Sequence, residues 1–341
     1  MKNIFFIIGS LEKGGAEYVF SKLINHYCKK TKCTLVLTSN KNIHYNLDSN
    51  INIEFACSKF FFLKIIKLRR LVRRDNPDTM ISFLTNVNIL CLISTIGINL
   101  KKIVCERGDI SKYLTLRIIS LFTYFLSDVI VYQTYKSKNN HKPFFLINSK
   151  KVVIPNFVDK VIISEKSNFN LITCSRFIPS KNILELIDIY KILNKNGFED
   201  KLFIYGEGPE KNNIINYIKK NNLKNYVFVK PWNNNLEFVF SNASIYCSTS
   251  MEEGFPNSVL NAISYGLVSL AYNSSYGFKE IMKSSAEDTL IKTGDKFDFT
   301  KKILKLTNIN FYHNTRTNQT NFVEKNFLKK NVIKFWDNIL C

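Results

Sequence analysis

One segment, residues 244–271, limits the possible folds of this chain more than any other. Its sequence, SIYCSTSMEEGFPNSVLNAISYGLVSLA, begins with an apolar run of strand length and continues into a polar loop. Val259, Leu260 and Ile263 then recur at helical spacing. Gly266 ends that helix, and a second apolar run predicts another strand. Strand, loop, helix and strand in this order predict a parallel sheet.

The loop of this segment has the chemistry of an anion site. In a strand-loop-helix unit the loop and the first turn of the helix face a ligand crevice, and the first helical amides favour a phosphate. We expect Asn257 to cap the helix, Pro256 to fix its first turn, and Gly254 to let a ligand approach the backbone closely. An ordinary loop ended by glycine and proline explains the spacing equally well.

The motif EEGFPNSVLNA goes further, because it resembles the signature of the retaining glycosyltransferases of family 4, nucleotide-sugar enzymes of the GT-B fold. That signature has one Glu before Gly-Phe, which contacts the donor sugar, and a second Glu eight positions later, which holds the ribose hydroxyls. Glu253 matches the first, and Asn261 stands at the second. Asn261 still forms hydrogen bonds but lacks the charge-assisted component, roughly half of the strength of such a bond. Donor affinity and donor identity stay open at this position.

The length and the net charge of the chain limit the number of its domains and the kind of partner that it binds. A chain of 341 residues with 45% hydrophobic residues exceeds one core and has material for two domains. The formal net charge is +21, and residues 1–155 carry +15 of it, with 24 basic and 9 acidic residues. A basic first half favours an anionic partner, although a lysine-rich composition explains part of the excess. No recognition module or aromatic-interleaved basic face indicates nucleic acid, so none is expected.

Cysteine usage and hydropathy predict a cytoplasmic protein. The eight cysteines are scattered and form no CxxC pair, which argues against a zinc site or a disulfide framework. No signal peptide is evident. The uncharged run 79–100 is interrupted by polar residues and Gly97, so strand, loop and helix explain it better than a membrane span.

The chain begins with a second glycine-containing unit. NIFFIIG at 3–9 predicts a buried strand, which leads through the loop SLEKGGAE into a helix. Gly14 and Gly15 would let a diphosphate or a sugar lie against the backbone, and the GGAE motif also fits the family-4 resemblance. A plain turn is the alternative, because the loop is neither GxGxxG nor a Walker loop.

Residues 58–75, SKFFFLKIIKLRRLVRRD, contain four of the eight arginines of the chain within six residues. Apolar positions at helical spacing among basic ones predict a helix that ends at Asn76 and Pro77. Such a helix fits an anionic membrane surface, where each basic residue contributes about 1 kcal/mol. A core-packed helix with a solvated basic face is the alternative.

A charged loop follows the strand predicted from Lys101. Glu106, Arg107 and Asp109 stand at its carboxyl end, where α/β enzymes place reacting groups. The loop resembles one that faces the acceptor in polysaccharide-assembling members of family 4, and a surface ion-pair cluster is the alternative. Many members carry a His in the corresponding region and this chain has none, so we assign no catalytic base.

Cations and a glycine follow the strands of the second half. Arg176 and Lys181 come after the strand predicted over 171–174 and match the Arg-x(4)-Lys element of family 4. Paired cations suit a departing diphosphate. The resemblance implies the same role for the backbone amides of Gly254 and Phe255. Gly206 opens the turn GEGPE after the next strand and is assigned to the donor site.

Together these features predict an α/β protein of the GT-B fold, in which two Rossmann-like domains face each other across a cleft. Residues 1–155 form the acceptor domain, 156–320 bind the nucleotide sugar, and a helix over 321–341 returns to the first domain. The predicted reaction moves a sugar with retention from a nucleoside diphosphate sugar, preferably a UDP-sugar, to a saccharide or lipid-linked saccharide in surface polysaccharide or glycolipid synthesis.

The remaining expectations concern cofactors and location. No DxD motif is present, so neither a metal nor another cofactor is expected. We expect a peripheral protein at the inner face of the cytoplasmic membrane. Two alternatives stay open: an inactive donor-binding subunit of a glycosylation complex, prompted by Asn261, and a sugar-nucleotide epimerase of the same fold.

Overall fold

The computed structural model describes residues 2–12, 14–107, 114–141, 149–165 and 168–340. The chain divides into two compact units. Unit 1 is Met1–Asn156 together with Lys334–Cys341, and unit 2 is Phe157–Ile333. Each unit is built on one parallel sheet covered by helices, so the predicted α/β class with two Rossmann-like domains is confirmed.

Unit 1 contains a seven-stranded sheet in the order β3-β2-β1-β4-β5-β6-β7, and all neighbouring strands are parallel. Its central strands are buried along most of their length, because helices cover both faces of a parallel sheet. In chain order its elements are β1 (Asn3–Ile8), α1 (Gly15–Tyr27), β2 (Lys32–Leu37), β3 (Ile51–Phe55), α2 (Phe61–Asp75), β4 (Thr79–Phe83), α3 (Thr85–Ser94), β5 (Lys101–Glu106), α4 (Leu114–Thr123), β6 (Val129–Tyr132), α5 (Tyr135–Asn140) and β7 (Lys150–Val153).

Unit 2 repeats this arrangement with the order β10-β9-β8-β11-β12-β13. In both units the strand order reverses direction beside the first strand, between β1 and β4 and between β8 and β11, and ligands of open α/β sheets bind at such switch points. Its elements are β8 (Leu171–Cys174), α6 (Ile183–Lys195), β9 (Leu202–Tyr205), α7 (Lys211–Lys220), β10 (Val227–Lys230), α8 (Leu236–Ser241), β11 (Ile245–Ser248), α9 (Asn257–Ser264), β12 (Val268–Tyr272), α10 (Tyr276–Ile281), α11 (Ala286–Thr289), β13 (Leu290–Ile291), α12 (Lys296–Leu306), α13 (Ile309–Phe327) and the first part of α14 (Lys329–Leu340).

The segment 244–271 folds as predicted, with β11 and β12 parallel and α9 between them. Gly266 ends the turn after α9 with φ +76°, a conformation that favours glycine. The N-cap of α9 was predicted at Asn257, and this prediction is wrong by one residue. Asn257 is the first residue of α9, and Pro256 occupies the cap position without a side-chain hydrogen bond. The Asn257 N–H donates to Phe255 O at 2.9 Å, so a tight turn starts the helix before an Asn side chain could cap it.

The final helix predicted over 321–341 is divided in two at Leu328, which adopts an extended conformation with ψ 140° between α13 and α14. Val158 causes this break. Its N–H donates to Phe327 O at 2.9 Å, and its carbonyl accepts from Lys329 N–H at 2.8 Å, in place of helical hydrogen bonds. Of the 321–341 segment, residues up to Ile333 belong to unit 2 and only the last part of α14 belongs to unit 1.

The sequence analysis considered residues 58–75 for binding to a membrane surface and residues 79–100 for spanning a membrane. Both segments fold as parts of unit 1. The basic segment forms α2, which ends at Asn76 with φ 41°, and the uncharged run 79–100 forms β4 and α3. Within the described ranges, none of the helices combines the length and the apolar character needed to cross a bilayer. Helix α3 packs between α2 and α4 on one face of the sheet.

Candidate active site

Hydrogen bonds join the loops on either side of the switch point in unit 2. The loop after β11 donates from Met251 N–H to Ser180 O at 2.8 Å and from Thr249 Oγ1 to Asn182 O at 2.9 Å. Both acceptors lie in the loop after β8. These bonds hold the two loops in one fixed arrangement at the carboxyl edge of the sheet.

The loop after β9 joins the same assembly. Phe177 N–H donates to Glu207 O at 2.8 Å, and Gly206 lies directly against Ser175. A Cβ atom at Gly206 would be 1.9 Å from the carbonyl oxygen of Ser175, and φ at this residue is +154°. Gly206 is therefore required by close packing of two loops, which is a structural reason for a glycine that the sequence assigned to donor binding.

The loop after β12 completes the assembly. Ser274 Oγ donates to Ser250 O at 2.5 Å. A Cβ atom at Gly277 would be 2.6 Å from Pro256 and 3.0 Å from Gly254 O, so the start of α10 rests on the loop that contains the sequence motif. Four loops from neighbouring strands thus fix the backbone of the motif before any ligand binds.

Lys181 and Glu253 meet in the centre of this assembly as an ion pair. Their side chains are only 15% and 16% exposed. Partial burial strengthens the attraction between opposite charges and makes either charge costly without a partner. The sequence singled out both residues separately, and the structure brings them together.

The other predicted contacts with an anion lie in the same two loops, after β8 and after β11. Arg176 is exposed and follows β8. The amides of Gly254 and Phe255 have no hydrogen-bond acceptor among the described residues. The ring of Phe255 is buried against Phe327, with ring centres 6.1 Å apart, so Phe255 offers a ligand only its backbone. An exposed guanidinium and two amides that lack an acceptor among the described residues are suited to an anion such as a diphosphate.

Asn257 and Asn261 lie one turn apart on α9, and both are half-buried. Among the described residues, the side chain of Asn261 forms no hydrogen bond, and its backbone oxygen accepts from Tyr265 N–H at 3.1 Å. The amide of Asn261 is therefore available to hydroxyl groups of a ligand.

Gly14 and Gly15 belong to unit 1, whereas the residues above belong to unit 2. Gly14 N–H donates to the Tyr45 hydroxyl at 3.0 Å, and that hydroxyl donates to Gly14 O at 2.8 Å. A Cβ atom at Gly14 would be 2.1 Å from the Glu17 carboxylate. With the Glu17 side chain in its present position, only glycine fits at residue 14. Sequence reasoning missed Tyr45, because no motif marks it.

Glu106 ends β5 and is 3% exposed, so it is not part of a surface ion-pair cluster. Its carboxylate accepts hydrogen bonds from Thr85 Oγ1 at 2.8 Å, Asn88 Nδ2 at 3.3 Å and the Tyr124 hydroxyl. Burial raises the pKa of Glu106, and these donors oppose that rise. The residue holds the first turn of α3 against the end of β5.

Arg107 is also buried, with 7% exposed. Its Nη1 donates to Asn156 Oδ1 at 2.6 Å, and the guanidinium lies 4.0 Å from the ring centre of Phe83. Burial lowers the pKa of Arg107. Glu106 and Arg107 thus support the interior of unit 1, and Asp109, the third residue predicted on the acceptor side, lies outside the described residues.

The described parts of the chain contain no group of three His, Cys, Asp or Glu residues arranged to hold a metal ion. The residues suited to hold an anionic ligand at this site are Arg176, Lys181 and the backbone amides of Gly254 and Phe255.

Comparison with known proteins agrees with this geometry. Residues 156–325 match the family model for glycosyl transferases group 1. An uncharacterized glycosyltransferase of Haemophilus influenzae is 24% identical over 354 residues, covering 100% of both chains. GalNAc-alpha-(1->4)-GalNAc-alpha-(1->3)-diNAcBac-PP-undecaprenol alpha-1,4-N-acetyl-D-galactosaminyltransferase of Campylobacter jejuni is 24% identical over 330 residues, covering 91% of this chain and 90% of the relative.

Solved structures agree on the fold. The Anabaena HepE protein in complex with UDP and glucose superimposes with a TM-score of 0.86 at 15% identity, over 100% of this chain and 99% of HepE. This likeness confirms the GT-B fold predicted from the sequence. The chain is therefore a glycosyltransferase of the GT-B fold, and its residues 156–325 form a glycosyl transferases group 1 domain.

Proposed function

We propose that this enzyme transfers a sugar from a UDP-sugar, with retention of configuration, to a saccharide or lipid-linked saccharide in surface polysaccharide or glycolipid synthesis. The paired Lys181 and Glu253 at the switch point of unit 2 are the main support. The HepE structure in complex with UDP and glucose supports a UDP-sugar donor. The name of the Campylobacter relative, which contains an undecaprenol diphosphate acceptor, supports a lipid-linked one.

In this proposal Arg176 and Lys181 neutralise the diphosphate of the donor. Its oxygens also accept hydrogen bonds from the amides of Gly254 and Phe255. The charge on the leaving diphosphate grows as its bond to the sugar breaks, so fixed donors stabilise the transition state more than the bound donor. The bridged loops keep these donors in position without further reorganisation.

Glu253 orients the donor sugar. Because its carboxylate is paired with Lys181 in the structure, donor binding places the diphosphate on the lysine side of the pair and the sugar hydroxyls on the carboxylate side. Each charge then keeps a partner. Asn261 donates to and accepts from the ribose hydroxyls with its amide, where family 4 has a carboxylate.

The transfer itself needs no dedicated base in this proposal. The acceptor oxygen forms a bond to the anomeric carbon on the face from which the diphosphate leaves. As the bond between that carbon and the diphosphate oxygen breaks, the leaving oxygen takes the proton of the acceptor hydroxyl. Configuration is retained, and the products are the glycosylated acceptor and protonated UDP.

We also propose that unit 1 binds the inner face of the cytoplasmic membrane. The start of α2 exposes large apolar side chains: Phe60, directly before the helix, is 69% exposed, and Phe62, in its first turn, is 67% exposed. Later turns of α2 and the end of β3 form a cleft of about 390 Å³ lined by Phe55, Lys67, Arg70, Leu71 and Arg74. Exposed aromatic side chains next to clustered cations suit an anionic lipid surface better than they suit water.

Helix α4 adds a second exposed apolar strip that the sequence did not indicate. Its exposed side chains are Leu114, Ile118, Ile119 and Phe122. Because α3 packs between α2 and α4, both strips belong to one helical layer of unit 1. The core-packed alternative explains the buried Leu68 and Val72 and the partly buried Ile65 and Leu71 of α2. It does not explain the exposed rings at the start of the helix.

A thermal-shift screen against UDP, GDP, ADP and their common sugar conjugates tests the proposed function. A ligand at 100 times its dissociation constant stabilises by about 2.7 kcal/mol. We expect UDP and UDP-sugars to raise the melting temperature. In a separate assay, we expect the enzyme to release UDP from a UDP-sugar when a lipid-linked saccharide is added. The relatives described above do not support the epimerase or the inactive subunit. If none of the nucleotides raises the melting temperature, the proposed function is contradicted. If the donor sugar is changed without any acceptor, the protein is the epimerase instead.

A further inference from the structure

One carboxylate in the first turn of α6 joins two parts of unit 2 close to the ion pair of Lys181 and Glu253. Glu185 Oε1 accepts from the Tyr272 hydroxyl at 2.5 Å, and Glu185 Oε2 accepts from Asn182 Nδ2. Tyr272 ends β12, whereas Asn182 directly precedes α6. The carboxylate therefore ties the end of β12 to the residue that follows Lys181 in the chain.

Both donors to Glu185 are neutral. Burial first, and then the hydrogen bond to Glu185, raise the pKa of Tyr272, so its hydroxyl stays protonated and donates. Glu237 provides a comparison, because it also lies in the first turn of a helix, α8, but is exposed and has no side-chain hydrogen bond among the described residues. A negative charge in the first turn of a helix is favourable at either position. Hydrogen bonds fix only the carboxylate of Glu185.

Asn182 has a backbone conformation that needs support. Its φ is +52°, in the left-handed region that is costly for residues other than glycine. Its side chain forms no cap hydrogen bond with α6, because Nδ2 donates to Glu185 instead. Its carbonyl accepts from Thr249 Oγ1 at 2.9 Å. The side chain and the carbonyl together hold Asn182 in this conformation.

The conformation of Asn182 determines the direction of the Lys181 side chain. Lys181 N–H donates to Ile178 O at 3.0 Å. Asn182 N–H donates to Pro179 O, also at 3.0 Å, so Lys181 ends a tight turn. The left-handed residue that follows joins this turn to α6. A change of φ at Asn182 would rotate the turn relative to the helix and move the Lys181 ammonium away from Glu253.

We propose that Glu185 is a positioning residue for donor binding: through Asn182 it holds the Lys181 ammonium where the diphosphate binds. This inference rests on the proposed function, because it concerns the main cation of that donor site. A group that is displaced from its working position loses much of its effect, since a fixed charge stabilises a ligand without reorganisation. Glu185 does not contact the donor in this proposal and acts only through Lys181.

A double-mutant cycle tests this proposal by titration calorimetry of the full chain with UDP. The four proteins are the wild type, Glu185→Ala, Lys181→Met and the variant with both substitutions. Glu237→Ala is the matched control, since it removes an acidic residue from the first turn of another helix of unit 2. Glu185→Gln is the conservative variant, because its amide oxygen replaces one of the two carboxylate acceptors. If Glu185→Ala does not fold, Glu185→Gln takes its place in the same cycle.

Glu185→Ala should weaken UDP binding about tenfold, and Glu185→Gln should weaken it less. Glu237→Ala should bind UDP like the wild type. In the Lys181→Met background the loss of Glu185 should change UDP binding by less than about twofold, because the cation that it positions is gone. A merely structural role would lower the affinity equally in both backgrounds.

Equal losses in the two backgrounds would overturn the inference, and so would unchanged UDP binding by Glu185→Ala. Either result would leave the proposed function intact as long as Lys181→Met weakens UDP binding. If Lys181→Met binds UDP like the wild type, the assigned donor site is wrong, and the proposed function fails together with this inference.

Discussion

Lys181 and Glu253 form an ion pair between the loops that follow β8 and β11, with both side chains mostly buried. Each charge is the main partner of the other, so removing one leaves a partly buried charge without compensation. The pair therefore links the diphosphate side and the sugar side of the proposed donor site. Substituting Lys181 should mainly weaken the binding of UDP, whereas substituting Glu253 should mainly remove the extra affinity of a UDP-sugar over UDP.

Lys181→Met should weaken UDP binding by about ten- to a hundredfold, because a hydrogen bond to a charged group contributes about 1.5–3 kcal/mol. Glu253→Gln should keep or strengthen UDP binding, since it removes a negative charge near the diphosphate, but it should lose the extra affinity of a UDP-sugar over UDP. Titration calorimetry with UDP and UDP-glucose measures both effects. Equal loss of UDP affinity in the two variants would contradict the assigned roles.

Asn261→Glu should tighten UDP binding by about tenfold, because a carboxylate accepts hydrogen bonds from the ribose hydroxyls roughly twice as strongly as an amide does. Asn338→Glu places the same change on an exposed position of α14 and serves as the control. Calorimetry with UDP and with pyrophosphate separates the ribose contribution, since only UDP carries a ribose. A gain that is the same for both ligands would argue against contact between Asn261 and the ribose.

Gly206→Ala should destabilise unit 2 by about 2–4 kcal/mol, because the new Cβ would collide with Ser175 O as well as strain the backbone. Gly197 is the matched control. It also has a positive φ, +83°, but a Cβ there meets nothing within 4 Å. Gly197→Ala should therefore cost only about 1 kcal/mol. Scanning calorimetry compares the two, and equal losses would mean that the loops after β8 and β9 do not pack as described.

His141 should make unit 1 sensitive to acid. Burial first, and then Lys151 and Arg117, lower the pKa of His141 to about 4. Because the unfolded chain binds a proton near pH 6.5 and the folded chain does not, stability is present above pH 6.5 and falls as the pH drops towards 4. The slope should be at most about 1.4 kcal/mol per pH unit.

Urea unfolding of Trp232→Phe measures this slope, since Trp336 is then the remaining tryptophan and lies in unit 1. His141→Gln in the same background removes the titrating group. The difference in unfolding free energy between the two proteins should shrink as the pH falls from 6.5 to 4. A constant difference over that range would show that His141 titrates normally.

Substituting both Phe61 and Phe62 by Ser should reduce binding to vesicles that contain anionic lipid, because these exposed rings form the apolar part of α2. Arg70→Gln should reduce it by about fivefold, since each basic residue near the surface contributes about 1 kcal/mol. Lys224→Gln, an exposed lysine in unit 2, is the control. Co-sedimentation with anionic and zwitterionic vesicles measures binding, and unchanged binding in the α2 variants would exclude this surface.

The elements that follow from local patterns were predictable from the sequence. The strands at 171–174 and 202–205 are short apolar runs, and the second ends at Gly206. The helix that begins at Asn257 has clear apolar periodicity and ends just before Gly266, so these positions depend on nearby residues alone. The proximity of Lys181 to Glu253 also follows in outline, because both loops leave the carboxyl edges of adjacent strands.

Features that depend on distant residues were not predictable. Leu328 breaks the final helix without a Gly or Pro, because the backbone of Val158 replaces its helical hydrogen bonds. Tyr45 contacts Gly14 across 31 residues without a motif. The sequence indicated an acceptor-side residue or a surface ion-pair cluster at Glu106, yet three donors from other elements allow its burial.

Trp336 stacks on Phe83 with ring centres 6.3 Å apart, and Tyr27 donates to Asp337 at 2.8 Å. Unit 1 is thus completed by residues that are translated after all of unit 2. Although its first 156 residues are made before unit 2, unit 1 is able to complete its core only after the last residues of the chain have left the ribosome. A chain that stops before Trp336 would leave Phe83 without its aromatic cover and expose the interior of unit 1 to chaperones and proteases.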